Sequence, residues 1–211
     1  MILTDFLDEL MPRLPGADEA FVQAEMLSAA RILCVDGYAW PVNLGPLDIR
    51  ADDPNIYLDP LPGDTRIGII LSVRFEPAGS NRKDLWPLTR PPVETTSNAT
   101  EPRYYWMATP GEMVLSPTLS VAAPDSIYVD ATVIPADSTC IFPDAWRTHF
   151  SEAMIAGVCS RMMAMQSKPW SDRNGSMLFG KQFRNHVATT RRTTINRFSQ
   201  NQAQWRFPRF A

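Results

Sequence analysis

The chain has 211 residues, of which 45% are hydrophobic and 20% are charged, and its formal net charge is −3. That length predicts one domain that can bury a hydrophobic core. No apolar run approaches the length of a transmembrane helix, so we expect no membrane association. Asp5, Asp8 and Glu9 stand near the N-terminus, where a signal peptide would be basic, so we expect no secretion.

The three cysteines, Cys34, Cys140 and Cys159, lie far apart and form no C-x-x-C pair. An odd number of separated cysteines, in a chain that we expect not to be secreted, is typical of free thiols. We therefore predict free, mostly buried cysteines rather than a disulfide or a metal site.

Charge is distributed unevenly along the chain. Residues 1–152 hold 10 Lys and Arg against 22 Asp and Glu, whereas residues 153–211 hold 10 Lys and Arg against the single acid Asp172. The two parts therefore carry formal charges of −12 and +9. Such a split predicts that they meet different partners, or that copies of the chain stack basic end against acidic end.

The first predicted elements are two helices. Thr4 to Met11 predicts a short helix that has Thr4 as its N-cap and is ended by Pro12 and Pro15-Gly16. Asp18 then begins a longer helix that runs to Val35, with Gly37 placed to stop it. The residues that predict the core face of this second helix are Val22, Met26, Ala29 and Leu33.

Residues 42–135 are dense in proline and glycine and predict a small antiparallel β-sandwich or barrel. Thr109-Pro110-Gly111 predicts a hairpin turn, and residues 76–103 predict an exposed loop. In the last apolar run, Ile127 to Val133 alternate with more polar neighbours, which predicts a half-buried strand. The five predicted strands are Asn55–Leu58, Ile67–Phe75, Tyr104–Met107, Glu112–Leu115 and Ser126–Ile134.

The strongest helical pattern runs from Phe142 to Met165. Pro143 and Asp144 suit its first turn, and Pro169 is expected to end it. Apolar residues at a spacing of four predict its core face: Trp146, Phe150, Met154, Val158 and Met162.

A third long helix is predicted from Met177 to Asn196, capped by Asn174 or Ser176. Its predicted apolar side is Phe179, Phe183, Val187, Thr190, Thr194 and Ile195. Residues 200–211 have no core of their own to join, so we predict an extended arm. The predicted fold class is α+β: a helical bundle formed by residues 1–41 and 136–199, with the β-rich region 42–135 inserted and the arm 200–211 appended.

The search for chemistry finds no nucleophile elbow, phosphate loop, dinucleotide fingerprint or zinc pattern. We therefore predict no catalytic residue, no cofactor and no metal. His149 is predicted at a surface or helix–helix position, and His186 is predicted at a solvated position. The acidic loop that contains Asp52, Asp53 and Asp59 lacks the glycine and the glutamate of an EF-hand, so a solvated loop is expected.

The basic C-terminal third leaves two interpretations open. Arg191, Arg192 and the WRFPRF tail mix cations with aromatic residues, as single-strand nucleic-acid binders do. A basic surface that meets an acidic protein ring explains the same residues, and no known nucleic-acid motif is present.

The order of the elements resembles a known class of structural proteins. The relevant stretches are AARILCVDGYAW before the strand-rich middle, YYWMATPGEMVLSP, FPDAWRTHFSEAMIAGVCSRMMAMQSKPW, FGKQFRNHV and the Arg-rich aromatic tail. This layout resembles the head-to-tail adaptor proteins of tailed bacteriophages and is similar to the tail tubular protein A, or gatekeeper, family of short-tailed phages. The resemblance covers most of the chain, is weakest at residues 76–103 and involves no catalytic motif.

The resemblance implies a structural virion protein rather than an enzyme. Such proteins form a ring, usually dodecameric, between the portal protein and the tail or nozzle proteins, after assembly in the host cytoplasm. The helices would dock on the portal, the β-rich part would face the tail, and DNA would pass through the lumen without specific binding.

Two sets of residues become candidate interfaces under this hypothesis. The arm would bind the portal through Trp205, Arg206, Phe207, Pro208, Arg209 and Phe210. The last helix would contribute to a subunit or portal interface through Arg184, Arg191, Arg192 and Arg197. The alternative hypothesis is a nucleic-acid-binding module that uses the basic C-terminal third, and an enzyme of unrecognised type is the least favoured.

Overall fold

The computed structural model describes residues 3–59, 61–79, 81–92, 99–137 and 141–199. Within these residues the fold is α+β, as predicted, with four α-helices and two four-stranded sheets. The helical elements are two 3-10 helices, Leu3–Phe6 and Met11–Arg13, and the α-helices α1 (Leu7–Leu10), α2 (Glu19–Gly37), α3 (Ala145–Met162) and α4 (Arg173–Ser199). The strands are β1 (Pro41–Ile49), β2 (Asn55–Tyr57), β3 (Thr65–Phe75), β4 (Lys83–Asp84), β5 (Trp86–Pro87), β6 (Tyr104–Thr109), β7 (Glu112–Ser116) and β8 (Ala123–Pro135).

The two sheets differ in their strand directions. The first sheet has the order β1-β8-β3-β4 and is antiparallel throughout, whereas the second, β2-β7-β6-β5, is antiparallel except for the parallel pair of β5 with β6. Apolar residues from both sheets form one buried cluster, which includes Ile127 and Val129 from the first sheet and Met113 and Leu115 from the second. The predicted hairpin turn at Thr109-Pro110-Gly111 is confirmed between β6 and β7.

β8 is buried on both faces, so the prediction of a half-buried strand was wrong. Ile127, Val129, Ala131 and Val133 are buried as predicted, but Ser126, Asp130 and Thr132 on the other face are buried as well. β8 lies between β1 and β3, and each of its buried polar side chains has a hydrogen-bond partner in this sheet: Ser126 and Thr132 donate to backbone carbonyls, and Asp130 binds side chains of the flanking strands. Asp130 accepts hydrogen bonds from Asn43 Nδ2 at 2.6 Å and Ser72 Oγ at 2.8 Å and pairs with Arg74 at 3.1 Å.

Three strands were not predicted: proline and glycine interrupt the sequence of β1, and β4 and β5 are only two residues long. β1 contains Gly45 and Pro46 and lies at an edge of its sheet, where proline is tolerated because one side needs no ladder hydrogen bond. β4 and β5 fall within residues 76–103, and Leu85 between them is buried. The predicted exposed loop is therefore partly ordered, while residues 80 and 93–98 lie outside the described part of the chain.

The N-terminal helices differ from the prediction at their ends. Thr4 lies inside a 3-10 helix and caps no α-helix. Pro12 lies within the second 3-10 helix, so the helical segment ends at Arg13, before Pro15-Gly16. Asp18 is confirmed as the cap of α2, since its Oδ1 accepts from Phe21 N at 3.1 Å. Tyr38, with a φ of 57°, ends α2 in place of Gly37, whose predicted role was wrong. Gly37 instead packs against α4, where a Cβ would lie 3.4 Å from the Val187 carbonyl oxygen, an ordinary van der Waals distance.

The C-terminal helices also have boundaries that the sequence pattern misplaced. α3 ends at Met162, short of the predicted Met165, because the chain turns at Met163, whose carbonyl accepts from Asp172 N at 3.0 Å. Asp172, rather than Asn174 or Ser176, caps α4, since its Oδ1 accepts from Asn174 N at 3.0 Å.

α2, α3 and α4 each contact the other two, and they share one buried cluster with Val133 of β8. The predicted face of α2 is fully buried, and on α3 Trp146, Met154, Val158 and Met162 are buried while Phe150 is only partly so. In the described part of the chain no helix is both long and apolar enough to cross a membrane.

Candidate interface on the last helix and the adjacent groove

α4 presents two different faces to its surroundings. Phe183 and Thr194 are buried, and Phe179, Val187 and Thr190 pack beside them half-buried, as predicted. Ile195 was assigned to the same face, but its side chain is 41% exposed. The opposite face carries the charged residues, so the helix is amphipathic with a basic outer side.

The structure places the four predicted interface arginines, Arg184, Arg191, Arg192 and Arg197, at exposed positions of α4. The Arg191 guanidinium lies 5.2 Å from the centre of the Tyr38 ring, a cation–π contact that fixes its position at the end of α2. Among the described residues, the other three arginines form no ion pair. Their charges are therefore available to a partner.

The other predicted interface, the arm formed by Trp205, Arg206, Phe207, Pro208, Arg209 and Phe210, lies outside the described residues. The described chain ends in α4 at Ser199, two residues after Arg197. The arm therefore continues directly from the basic end of this helix.

A groove of about 560 Å³ lies beside the same end of α4, between it, the start of α3 and the start of β1. Trp40, Trp146 and Phe150 form an aromatic wall. The ring centres of Trp40 and Trp146 are 5.9 Å apart, and those of Trp146 and Phe150 are 5.0 Å apart. The remaining lining includes Pro41, Pro143, His149, Arg197 and four threonines at 189, 190, 193 and 194.

The groove combines a partly exposed aromatic side chain with hydrogen-bond donors. Phe150 is half-buried, Trp40 and Trp146 are buried beside it, and the rim carries an imidazole and a guanidinium that can donate hydrogen bonds. The Thr194 hydroxyl donates to the Tyr38 carbonyl at 3.2 Å, and the Thr193 hydroxyl to the Thr189 carbonyl at 3.0 Å. Because these hydroxyl protons are bound to backbone carbonyls, neither threonine is arranged as a nucleophile beside a base.

Sequence reasoning did not identify this groove. The local sequence pattern indicated no role for Trp40. His149, predicted at a surface or helix–helix position, is exposed at the groove rim. The density of aromatic residues in YAWP at 38–41 and the TTRRTT stretch at 189–194 were the available signals. His186 is half-buried, and its Nε2 lies 4.0 Å from the Glu152 carboxylate.

The described cysteines are placed for packing rather than for chemistry. Cys34 and Cys159 are free and buried, as predicted, and Cys140 lies outside the described residues. Burial raises the pKa of the Cys34 thiol well above its usual range and raises that of Cys159 to about 11. Since the thiolate is the nucleophile and the metal ligand, neither group is reactive near neutral pH.

The acidic loop after β1 is organised by hydrogen bonds within the chain. Asp53 Oδ1 accepts from both the backbone N and the Nδ2 of Asn55 at 3.0 Å, which makes it a turn. Among the described residues, no group of three or more His, Cys, Asp or Glu side chains is arranged to hold a metal ion.

The chain was also compared with known proteins. A scan against protein-family models finds no match, and a search of curated proteins finds no significant match.

Proposed function

We propose that the protein is a structural component of a bacteriophage virion, a head-to-tail adaptor rather than an enzyme. In this proposal it forms a ring between the portal and the tail, and DNA passes through the ring. The proposal starts from the resemblance of the sequence to adaptor proteins. The observation that carries it on this chain is the uneven distribution of charge, with a basic outer face on α4 and a group of exposed acids at the far end of β8.

β8 connects the two ends. Near its last residues, Arg31 of α2 donates through Nε to the Pro135 carbonyl at 3.1 Å, so the helices and the basic face of α4 lie on this side. At its first residues, Asp125 N donates to Asp48 Oδ1 at 2.8 Å, and both acids are exposed, as is Glu76 next to Ser126. A strand of 13 residues spans roughly 40 Å, so these three acids lie far from the basic face of α4.

This arrangement supports a closed ring. Ring contacts are heterologous, which means that one face of a subunit meets a different face of the next. Opposite charges on different faces of one chain favour that contact and oppose contacts between like faces. An acidic surface turned toward the lumen would also keep DNA from adhering, because phosphate contacts create non-specific affinity.

The proposed architecture has three parts with separate partners. The helices form a bundle that docks on the portal protein, the two sheets form a β-sandwich that faces the tail or nozzle proteins, and residues 200–211 form an extended arm along the portal. The ring is proposed to be dodecameric and to be located at the head–tail junction of the virion, after assembly in the host cytoplasm.

One observation favours a second candidate function, that of a nucleic-acid-binding module. Arg184, Arg192 and Arg197 are exposed on one helix and form no ion pair within the described residues, and such cations can neutralise phosphates. In that case the basic C-terminal third would contact DNA or RNA directly.

Size and mobility measurements separate the two functions. The purified full chain is mixed with purified portal rings, and the mass of the products is measured; the same preparation is then titrated into single- and double-stranded DNA. The adaptor proposal predicts self-assembled rings or portal-bound complexes and no retardation of DNA at physiological salt. A protein that stays monomeric with portal rings present and retards DNA would contradict the proposal and support the nucleic-acid-binding module.

A further inference from the structure

The N-terminal segment, residues 3–13, carries an acidic surface. It consists of the two 3-10 helices and α1, and Phe6 and Leu10 anchor it in the shared core at 2% and 0% exposure. Asp5, Asp8 and Glu9 are exposed and follow one another at spacings of three and four residues, so they lie on one side of the segment. These three acids are called here the acidic face. Neither Asp8 nor Glu9 forms an ion pair with another described residue.

α4 carries a basic surface on its outer side. At about 100° per residue, Lys181, Arg184 and Arg192 project within an arc of about 80°, and the buried Phe183 lies on the opposite side of the helix. These three exposed cations are called here the basic face; Arg191 is left out because Tyr38 already holds it. None of the three pairs with a described acid, and residues 173–199 contain no Asp or Glu.

The acidic and basic faces lie on opposite sides of α3. Residues 153–159 of α3 are all buried, so this helix is enclosed on every side, and α1, α2 and α4 all contact it. Gly157 faces α4, where its Cβ would lie 2.9 Å from Phe183.

Cys159 projects about 160° away from Gly157 around the axis of α3. Burial raises the pKa of the Cys159 thiol, and the Arg13 guanidinium beside it lowers that pKa, so the N-terminal segment reaches this second side. Because Gly157 and Cys159 are only two residues apart, the N-terminal segment and α4 flank α3 at the same level. Their exposed faces therefore point in opposite directions from the helical part of the subunit.

We propose that the acidic face of one copy of the chain binds the basic face of the next copy. The inference rests on the proposed ring and specifies the subunit contact within it. Because the two faces differ and point in opposite directions, the contact is heterologous, and each added copy leaves one face of each kind free for the next. Repulsion between like faces opposes the pairing of two acidic or two basic faces.

A second copy fits the basic face better than nucleic acid does. The chain itself presents three acids to match the three cations, and phosphates would be repelled by the acidic face on the other side. Exposed apolar side chains also flank the basic face, since Met177 is 66% and Leu178 58% exposed. Leu7 and Met11 are half-buried beside the acids. Apolar area of this kind is buried against protein but gains nothing from phosphates.

Reversal and exchange of charge in the full chain test the contact. Asp8→Lys with Glu9→Lys reverses the acidic face, and Lys181→Glu with Arg184→Glu reverses the basic face. All four substitutions together exchange the two signs and leave the formal net charge at −3. Several charges are changed at once because a single exposed ion pair contributes little. Self-association is measured by light scattering, and binding to portal-bearing heads is measured by sedimentation.

Two controls separate the contact from net charge and from folding. Asp36→Lys with Asp59→Lys changes the net charge as much as reversal of the acidic face does, at exposed positions outside both faces. Circular dichroism monitors the melting temperature of every variant. If reversal of the acidic face lowers the melting temperature, Asp8→Asn with Glu9→Gln removes the charges without reversing them.

Reversal of either face should weaken association between copies by about tenfold or more, and the exchanged chain should recover it to near the level of the unmodified chain. Rings that form equally well after either reversal, or an exchanged chain that does not recover, would overturn the pairing of the faces and leave the adaptor proposal standing. A chain that neither self-associates nor binds heads would overturn both. Loss of DNA retardation on reversal of the basic face, with self-association unchanged, would make this face a phosphate-binding surface and the inference wrong.

Discussion

Trp146 and Phe150 lie one helical turn apart on α3 and occupy different environments. Trp146 is 2% exposed and contacts Trp40 and Phe142, whereas Phe150 is half-buried in the wall of the groove. We expect Trp146→Ala to reduce the free energy of unfolding by about 3–5 kcal/mol, the range for a large aromatic residue removed from a core. Phe150→Ala should cost only about 1–2 kcal/mol, because much of its surface is already in water. Urea denaturation measures both, and equal losses would contradict the assigned burial.

Gly157 of α3 lies close to residues of both α2 and α4. A Cβ at this position would lie 2.9 Å from Ala29 Cβ and 2.9 Å from Phe183 Cε2. We expect Gly157→Ala to destabilise the protein by about 1–2 kcal/mol, since the overpacking exceeds the gain in helix propensity. Gly180 on α4 is the matched control, because its nearest neighbour would be 3.7 Å away, and Gly180→Ala should stabilise by about 0.5–1 kcal/mol. If both substitutions stabilise in thermal unfolding, the helices do not meet as closely as described.

At the scale of elements, the sequence predicted the helices well because their apolar spacing is regular. Val22, Met26, Ala29 and Leu33 are buried as their spacing indicates. The exact ends of the helices were harder to predict. Tyr38 ends α2 and Asp172 caps α4 through local backbone geometry that several neighbouring residues could also supply.

The missed features depend on contacts between residues distant in sequence. Nothing in the local sequence around Asp130 indicates that it is buried. Its partners are Asn43, Ser72 and Arg74, which lie on the flanking strands and are distant in sequence. The groove beside α4 likewise exists only because Trp40, Trp146 and Thr194 come together from three separate elements. Periodicity within one segment contains no information on such a meeting.

The arm is the element with the sharpest functional prediction. It holds Trp205, Phe207 and Phe210 with Arg206 and Arg209, and aromatic and arginine side chains are the types that anchor interfaces. Deletion of residues 203–211 should leave the melting temperature nearly unchanged and abolish or strongly weaken attachment to portal-bearing heads. Calorimetry and sedimentation with heads measure the two effects.

Substitution of only Arg206 and Arg209 by Gln provides a matched control for the aromatic anchors, since it removes charge and keeps the rings. Attachment of the truncated protein at the level of the full chain would show that the arm is not the anchor. Unfolding after truncation would show that the arm instead packs on its own helices.

For the whole molecule, the charge split predicts an electrostatic contribution to assembly. The acids near Asp48 and Asp125 and the cations of α4 are exposed, so their interactions are screened over about 8 Å at physiological ionic strength. Association between subunits, or with the portal, should weaken steadily as the salt concentration rises. Binding by light scattering across a salt series measures this, and affinity that does not change with salt would contradict a major electrostatic contribution.

The most direct measurement on the adaptor proposal is an electron-microscopy image of purified virions in which this chain is located, for example by a tag on an exposed loop of the β part. The account predicts a ring of copies at the head–tail junction, with the helices on the portal side and the β part on the tail side. Purified virions that lack the chain, or that carry it away from this junction, would contradict the account.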